Sequence, residues 1–254
     1  MNDVAPIRAE TTAYWKTLGT LLWGVVIFGV FSIAQTVGAL GAGIDMSQGA
    51  PTQDQIEAML PELVKNGDVL VMATLLGFFI AVPLMLLIIK LKRGTHLKDY
   101  FGFYSASGRD YLKWIGIMAV CVIAMGLIGE AIQEKSADAF TSGVFKTASN
   151  VPMLFVAVAL LAPLFEELFF RGFLYKGLSE GKLGPVGAIV LTSLMWAVIH
   201  VQYDWFPILM IFMMGIVLGY ARYKTGSIWV PIVLHALNNF ASLLLVAFTT
   251  PPAS

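Results

Sequence analysis

From Thr17 to Ile44 the chain runs 28 residues without an Asp, Glu, Lys, Arg or His. About 20 apolar residues are enough for a helix to cross a bilayer. A helix also bonds its own backbone groups, which lipid cannot do for it. Six more apolar runs follow: Val69–Ile89, Leu112–Ile132, one from Val151 to about Ser179, Pro185–Val201, Trp205–Arg222 and Ile228–Phe248. The expected fold class is therefore all-α, a polytopic transmembrane helical bundle of about seven spans. Residues 1–254 read as a single membrane domain, with no internal repeat or low-complexity tract. Composition agrees: 13% of residues are charged, against roughly 25% in soluble domains. The first run reads as a retained span. A cleaved signal peptide has a shorter apolar core and a more basic start, whereas Met1–Lys16 holds two basic and two acidic residues.

The connections set an orientation. Lys90–Lys113 carries Lys90, Lys92, Arg93, Lys98, Arg109 and Lys113 against Asp99 and Asp110. Lys and Arg accumulate on the cytoplasmic side, so this segment and the amino terminus are expected inside the cell membrane and the carboxyl end outside. Tyr100, Phe101, Phe103 and Tyr104 read as an interfacial anchor. Asp45–Asp68 reads as an acidic connection with a short helix between Pro51 and Pro61, and Gln133–Asn150 as a short polar outer loop. Pro83 is expected to kink the second span. Gly215 and Gly219, four apart, fit close helix packing. The single cysteine, Cys121, reads as a packing residue. Zero net charge, with no basic patch interleaved with aromatics, argues against a nucleic-acid partner.

The polar residues inside the spans carry the chemistry. Pro163–Arg171 holds Glu166, Glu167 and Arg171 within an apolar run. Ionisable groups at membrane depth are costly and mark functional sites. Glu167 and Arg171 stand four apart and share a helix face, so they can pair. Glu166 points about 100° away, free to act elsewhere as a general base. Glu166 lies 17 residues before Leu183 and His200 lies 17 after it. Two antiparallel helices turning at Leu183 would bring the two level. His235 and Asn239 share a face of the last span, with Asn238 partly on it, and Trp196 is placed to wall the site.

These residues resemble the three motifs of the CPBP family, the CAAX prenyl protease and bacteriocin-processing (Abi) endopeptidases: Glu166-Glu167-xxx-Arg171, Trp196-xxx-His200 and His235-xxx-Asn239. The likeness covers residues 150–245. It departs at Trp196, where the family usually has Phe. The resemblance implies an intramembrane endopeptidase acting on a membrane-associated protein or peptide. Glu166 would activate water, His200 would help hold it, and His235 and Asn239 would stabilise the oxyanion, with Glu167 and Arg171 in support. Glu166, His200 and His235 also match a catalytic zinc set with one open position. Yet no HExxH motif is present and Asn is a poor zinc ligand, so zinc and metal-free chemistry both stay open. Two other classes compete: a bacteriocin immunity or scaffolding protein, and a proton-coupled transporter using the same buried polar groups. The transporter reading lacks the duplicated halves many transporters carry.

Overall fold

The computed structural model describes residues 13–44, 51–134 and 136–249, the side chains of 136–138 excepted. Asp45, the expected acidic start of the first polar connection, lies outside them. Ten helices follow in order: α1 (Thr17–Gly43), α2 (Gln53–Val64), α3 (Gly67–Leu91), α4 (Leu97–Phe101), α5 (Gly108–Ala131), α6 (Ser136–Thr147), α7 (Val151–Ser179), α8 (Gly184–Val198), α9 (Trp205–Thr225) and α10 (Trp229–Thr249). No strand occurs among the described residues. Six of these helices are long and apolar enough to span a bilayer, and α8, at 15 residues, is the shorter apolar helix between α7 and α9. The all-α, roughly seven-span expectation is met.

Local chemistry fixes the helix ends. Asn66 Oδ1 accepts from the backbone N–H groups of Asp68 and Val69 at the start of α3. Ser107 and Asp110 cap each other's backbone at the start of α5. Gly226, with φ +66°, ends α9 in the left-handed region that glycine enters without penalty.

α7 is not a uniform α-helix. Val156–Leu161 and Glu167–Leu174 are π-helical, with wider turns. Ala162 N–H bonds the Ala157 carbonyl, and Tyr175 N–H bonds Phe170, each five residues back. Such widened turns recur at functional sites. On one face of α7, Phe165, Phe169 and Phe173 stack at 5.8 and 6.3 Å between successive centroids. Phe31 of α1 lies 3.9 Å from Phe165. This aromatic column forms the middle of the core.

Three sequence expectations need correction. Tyr100 and Phe101 are not interfacial anchors but fully buried, at 0% exposure. Tyr100 stacks on Phe173 at 6.1 Å, and Gly172 leaves the space that Phe101 fills. Gln133–Asn150 is not simply a loop, because it contains α6. Phe140 and Val144 are four apart on one face of it and turn inward, Val144 being 2% exposed. Thr147 Oγ1 ties its end down by accepting from Gly67 N–H at 2.8 Å. Finally, α2 runs through Pro61 and is not ended by it. Its side chains are exposed or half-buried, and none is buried.

The pair Gly215 and Gly219 does what its spacing predicts. A Cβ on Gly219 would stand 2.8 Å from Ile189 Cγ2, and one on Gly215 would stand 2.8 Å from Ser193 Cβ. Both contacts lie on the α8–α9 seam. Gly219→Ala is expected to destabilise the fold by about 1–3 kcal/mol through overpacking, read as a lower unfolding temperature in detergent. Gly116→Ala, where a Cβ meets nothing within 4 Å, is the control and should leave it unchanged.

Candidate active site

Four helices supply the polar groups. Glu166, Glu167 and Arg171 stand midway along α7, Trp196 near the end of α8 and His200 two residues past it, Gly215 on α9, and His235 and Asn239 on α10. Glu167 and Arg171 are both fully buried and paired, Arg171 Nη1–H donating to Glu167 Oε1 at 3.0 Å. Arg171 Nη2–H also donates to the Gly215 carbonyl at 3.3 Å. The guanidinium lies over the Trp196 ring, 4.5 Å from its centroid, a cation–π contact made in a desolvated place.

His235 Nδ1 lies 2.9 Å from the same Glu167 Oε1. A carboxylate oxygen only accepts, so in the neutral ring the proton sits on Nδ1 and Nε2 is left bare. That bare nitrogen is 3.9 Å from Glu166 Oε2. Glu166 is the less buried carboxylate, its side chain 17% exposed against 0% for Glu167. One carboxylate is thus consumed by a guanidinium and an imidazole, while the other faces open space.

Glu166 has one direct hydrogen-bond donor, the Trp196 indole. Nε1–H donates to Glu166 Oε2 at 2.5 Å. Sequence reasoning had Trp196 only as a wall and set His200 level with Glu166. The cross-helix contact falls one turn earlier because that count assumed a regular α-helix between Glu166 and the turn. The π-helical stretch Glu167–Leu174 changes the residues per turn. The missed signal was the indole N–H itself, a donor that seeks a partner when buried and that Phe lacks. His200 sits at 5.5 Å from the Trp196 ring, edge to face, with Nδ1–H donating to the Trp196 carbonyl at 2.7 Å.

Asn239 has a structural task that follows from one proline. In a π-helical run, the Val158 carbonyl would accept from residue 163, but Pro163 has no N–H. Asn239 Nδ2–H crosses from α10 to bond Val158 O at 3.0 Å. Asn239 Oδ1 in turn accepts from Asn238 at 3.4 Å.

A cavity of about 300 Å³ meets these groups. Glu166, Trp196, His200, His235, Asn238 and Asn239 line it together. Glu167 and Arg171 lie behind that wall. Phe140 and Thr141 of α6 and Tyr203 also line it, with Phe140 edge-on to Tyr203 at 5.2 Å. None of the three carries a sequence signal: Phe140 and Thr141 fall in a polar stretch that reads as loop, and Tyr203 in the connection after α8. Glu166, His200 and His235 carry zinc-type donors. Among the described residues, however, no three His, Cys, Asp or Glu side chains are grouped to hold a metal ion.

Comparison with known proteins finds a family model that matches this region. Residues 148–241 match the family model described as type II CAAX prenyl endopeptidase Rce1-like. The chain is similar to an uncharacterized 24.3 kDa protein of Escherichia coli, 29% identical over 51% of this chain and 61% of the relative. It is also similar to YdiL of Bacillus subtilis (strain 168), named as a candidate membrane peptidase, at 23% over 65% of this chain and 68% of that one. The membrane-embedded CAAX protease MroQ of Staphylococcus aureus (strain USA300) is 27% identical over 64% of this chain and 68% of its own length. The chain thus spans less than two thirds of the Escherichia coli relative. No solved structure matches significantly.

Asn239→Ala should orphan the Val158 carbonyl and cost about 1–3 kcal/mol. Pro163→Ala restores an N–H there, so in its background the Asn239→Ala cost should shrink. A double-mutant cycle of unfolding free energies measures that coupling. Simple additivity would disconnect the two residues.

Proposed function

We propose, from the match of residues 148–241 to the Rce1-like type II CAAX prenyl endopeptidase family model, that this helical membrane protein is an intramembrane endopeptidase. It cuts a peptide bond of a membrane-associated protein or peptide. The observation that carries this is the spare carboxylate. Glu166 Oε2 faces the bare Nε2 of His235 at 3.9 Å on the wall of a cavity, while Glu167 is already neutralised by Arg171. The basic connection Lys90–Lys113 supports an amino terminus in the cytoplasm of a multi-pass cell-membrane protein.

The mechanism follows from donors and acceptors. Two acceptors at this separation can share one water, each taking one of its O–H groups. Its oxygen lone pairs then face the substrate carbonyl. As the oxygen bonds to the carbonyl carbon, Glu166 takes one proton and the carbonyl oxygen becomes an oxyanion. The Asn239 N–H not used by Val158, and the Asn238 amide, are the donors for that charge, the kind of preorganised dipole that such sites exploit. Glu166 then gives its proton to the departing amine as the C–N bond breaks. The remaining water proton leaves through His235. His200, with Nδ1–H held by Trp196 O, adds a further acceptor on the cavity wall. Glu167 fixes the His235 tautomer, and Arg171 holds Glu167 in place through their ion pair. This scheme uses no metal; Glu166, His200 and His235 would be the residues to hold zinc if it binds.

Glu166→Gln should lower peptide cleavage by on the order of 10²–10⁴-fold, the usual contribution of a general base, with the unfolding temperature retained. Trp196→Phe removes one hydrogen bond to a charged group, about 1.5–3 kcal/mol, and should lower kcat by roughly ten- to a hundredfold. Purified protein treated with a strong chelator and checked for metal content should keep its activity. Loss on chelation, with recovery on adding zinc, would assign the chemistry to zinc instead.

A further inference from the structure

The cavity occupies one half of the bundle. Its walls come from the first turns of α3 (Leu70, Thr74), from α6, from the connection holding Gln202 and Tyr203, from the first half of α9 and from the middle of α10. Except for α10, these lie at one end. α6 is tied to the start of α3 through Thr147, and Phe140 meets Tyr203. Gln202 is exposed at the mouth. Nothing from the segments 90–113, 176–183 or 222–228 lines it.

The opposite end is closed. Ile228 N–H donates to the Gly102 carbonyl at 3.0 Å, and Ser227 Oγ–H donates to the Tyr104 carbonyl at 2.5 Å. Tyr100 and Phe101 are fully buried beneath these bonds. The stacked rings of Phe165, Phe169 and Phe173 are buried between α7 and its neighbours.

The two ends differ sharply in charge. In sequence, the segments 90–113, 176–183 and 222–228 hold ten Lys or Arg against three Asp or Glu. The segments 51–68, 130–150 and 199–205 hold three against eight. Short loops rich in Lys and Arg stay in the cytoplasm. The closed end is the basic one, and the open end is the acidic one.

We infer that the cavity opens on the extracytoplasmic side and takes an extended, apolar peptide segment already carried across the membrane, not one presented from the cytoplasm. The lining suits such a segment. Leu70, Val144, Val158, Met210, Met214 and Leu243 offer apolar surface, while Asn238, Asn239 and Ser242 offer groups for a peptide backbone. The substrate class rests on the endopeptidase reading above, but the side of opening does not.

Two measurements separate these parts. In a Cys121→Ser background, Gln202→Cys at the mouth and Arg109→Cys at the basic end are exposed to a membrane-impermeant maleimide on intact cells. Gln202→Cys should label in intact cells, and Arg109→Cys only after permeabilisation. The reverse pattern overturns the side of opening, whether or not the protein cleaves peptides. Separately, new protein termini are mapped by mass spectrometry in host cells with the wild-type chain and with Glu166→Gln. Termini that depend on Glu166 should fall in extracytoplasmic or outer-leaflet segments. Termini in cytoplasmic segments overturn the substrate class while leaving the endopeptidase in place. No Glu166-dependent termini at all overturns both.

Discussion

The buried Glu167–Arg171 pair holds the architecture of the site. Two charges taken out of water are costly, and removing one partner of such a pair usually destabilises by about 3–5 kcal/mol. Here the pair is also the junction of four helices. Arg171 reaches the Gly215 carbonyl on α9 and plates the Trp196 indole of α8, and Glu167 reaches His235 on α10. The contact sets a proton position as well as a distance, because an imidazole bonded to a carboxylate through Nδ1 presents its other nitrogen bare. From one ion pair follow the tautomer of His235, the tilt of Trp196 and the freedom of Glu166.

A second constraint comes from a missing atom. Pro163 has no N–H, so the Val158 carbonyl lacks a partner within its own helix, and Asn239 supplies one from the far end of the chain. A residue that the sequence marks for chemistry therefore also serves the backbone. Its single amide nitrogen has two hydrogens, one spent on Val158 and one free to face the cavity. Structural and chemical roles coexist in Asn239 because it is a primary amide. A serine, with one hydrogen, could fill only one of them.

Much of this was legible in the residues. Charge-free runs gave the spans to within a few positions, since lipid leaves a chain little choice. The i, i+4 spacing of Glu167 and Arg171 gave their pairing, because that relation is local to one helix. The shared cavity of Glu166, His200 and His235 was also anticipated from depth and face. What escaped were features set by long-range packing or by departures from ideal geometry. The π-helical turns of α7 moved the contact with Glu166 from His200 to Trp196. α6 was hidden because its large apolar residues are few, Phe140, Val144 and Phe145, too little for a pattern in a polar stretch. Tyr100 and Phe101 carry the composition of an interfacial belt, and only the space left by Gly172 sends them inward.

The shortness of α8 has a consequence for hydration. Fifteen residues at 1.5 Å each reach about 22 Å, whereas the hydrocarbon slab is about 30 Å thick. A helix of that length, ending two residues before His200 and followed by the polar pair Gln202–Tyr203, is shorter than the slab, a mismatch that local thinning of the lipid relieves. For the endopeptidase proposed above, such a thinned spot would bring water to Glu166 without a pore through the membrane.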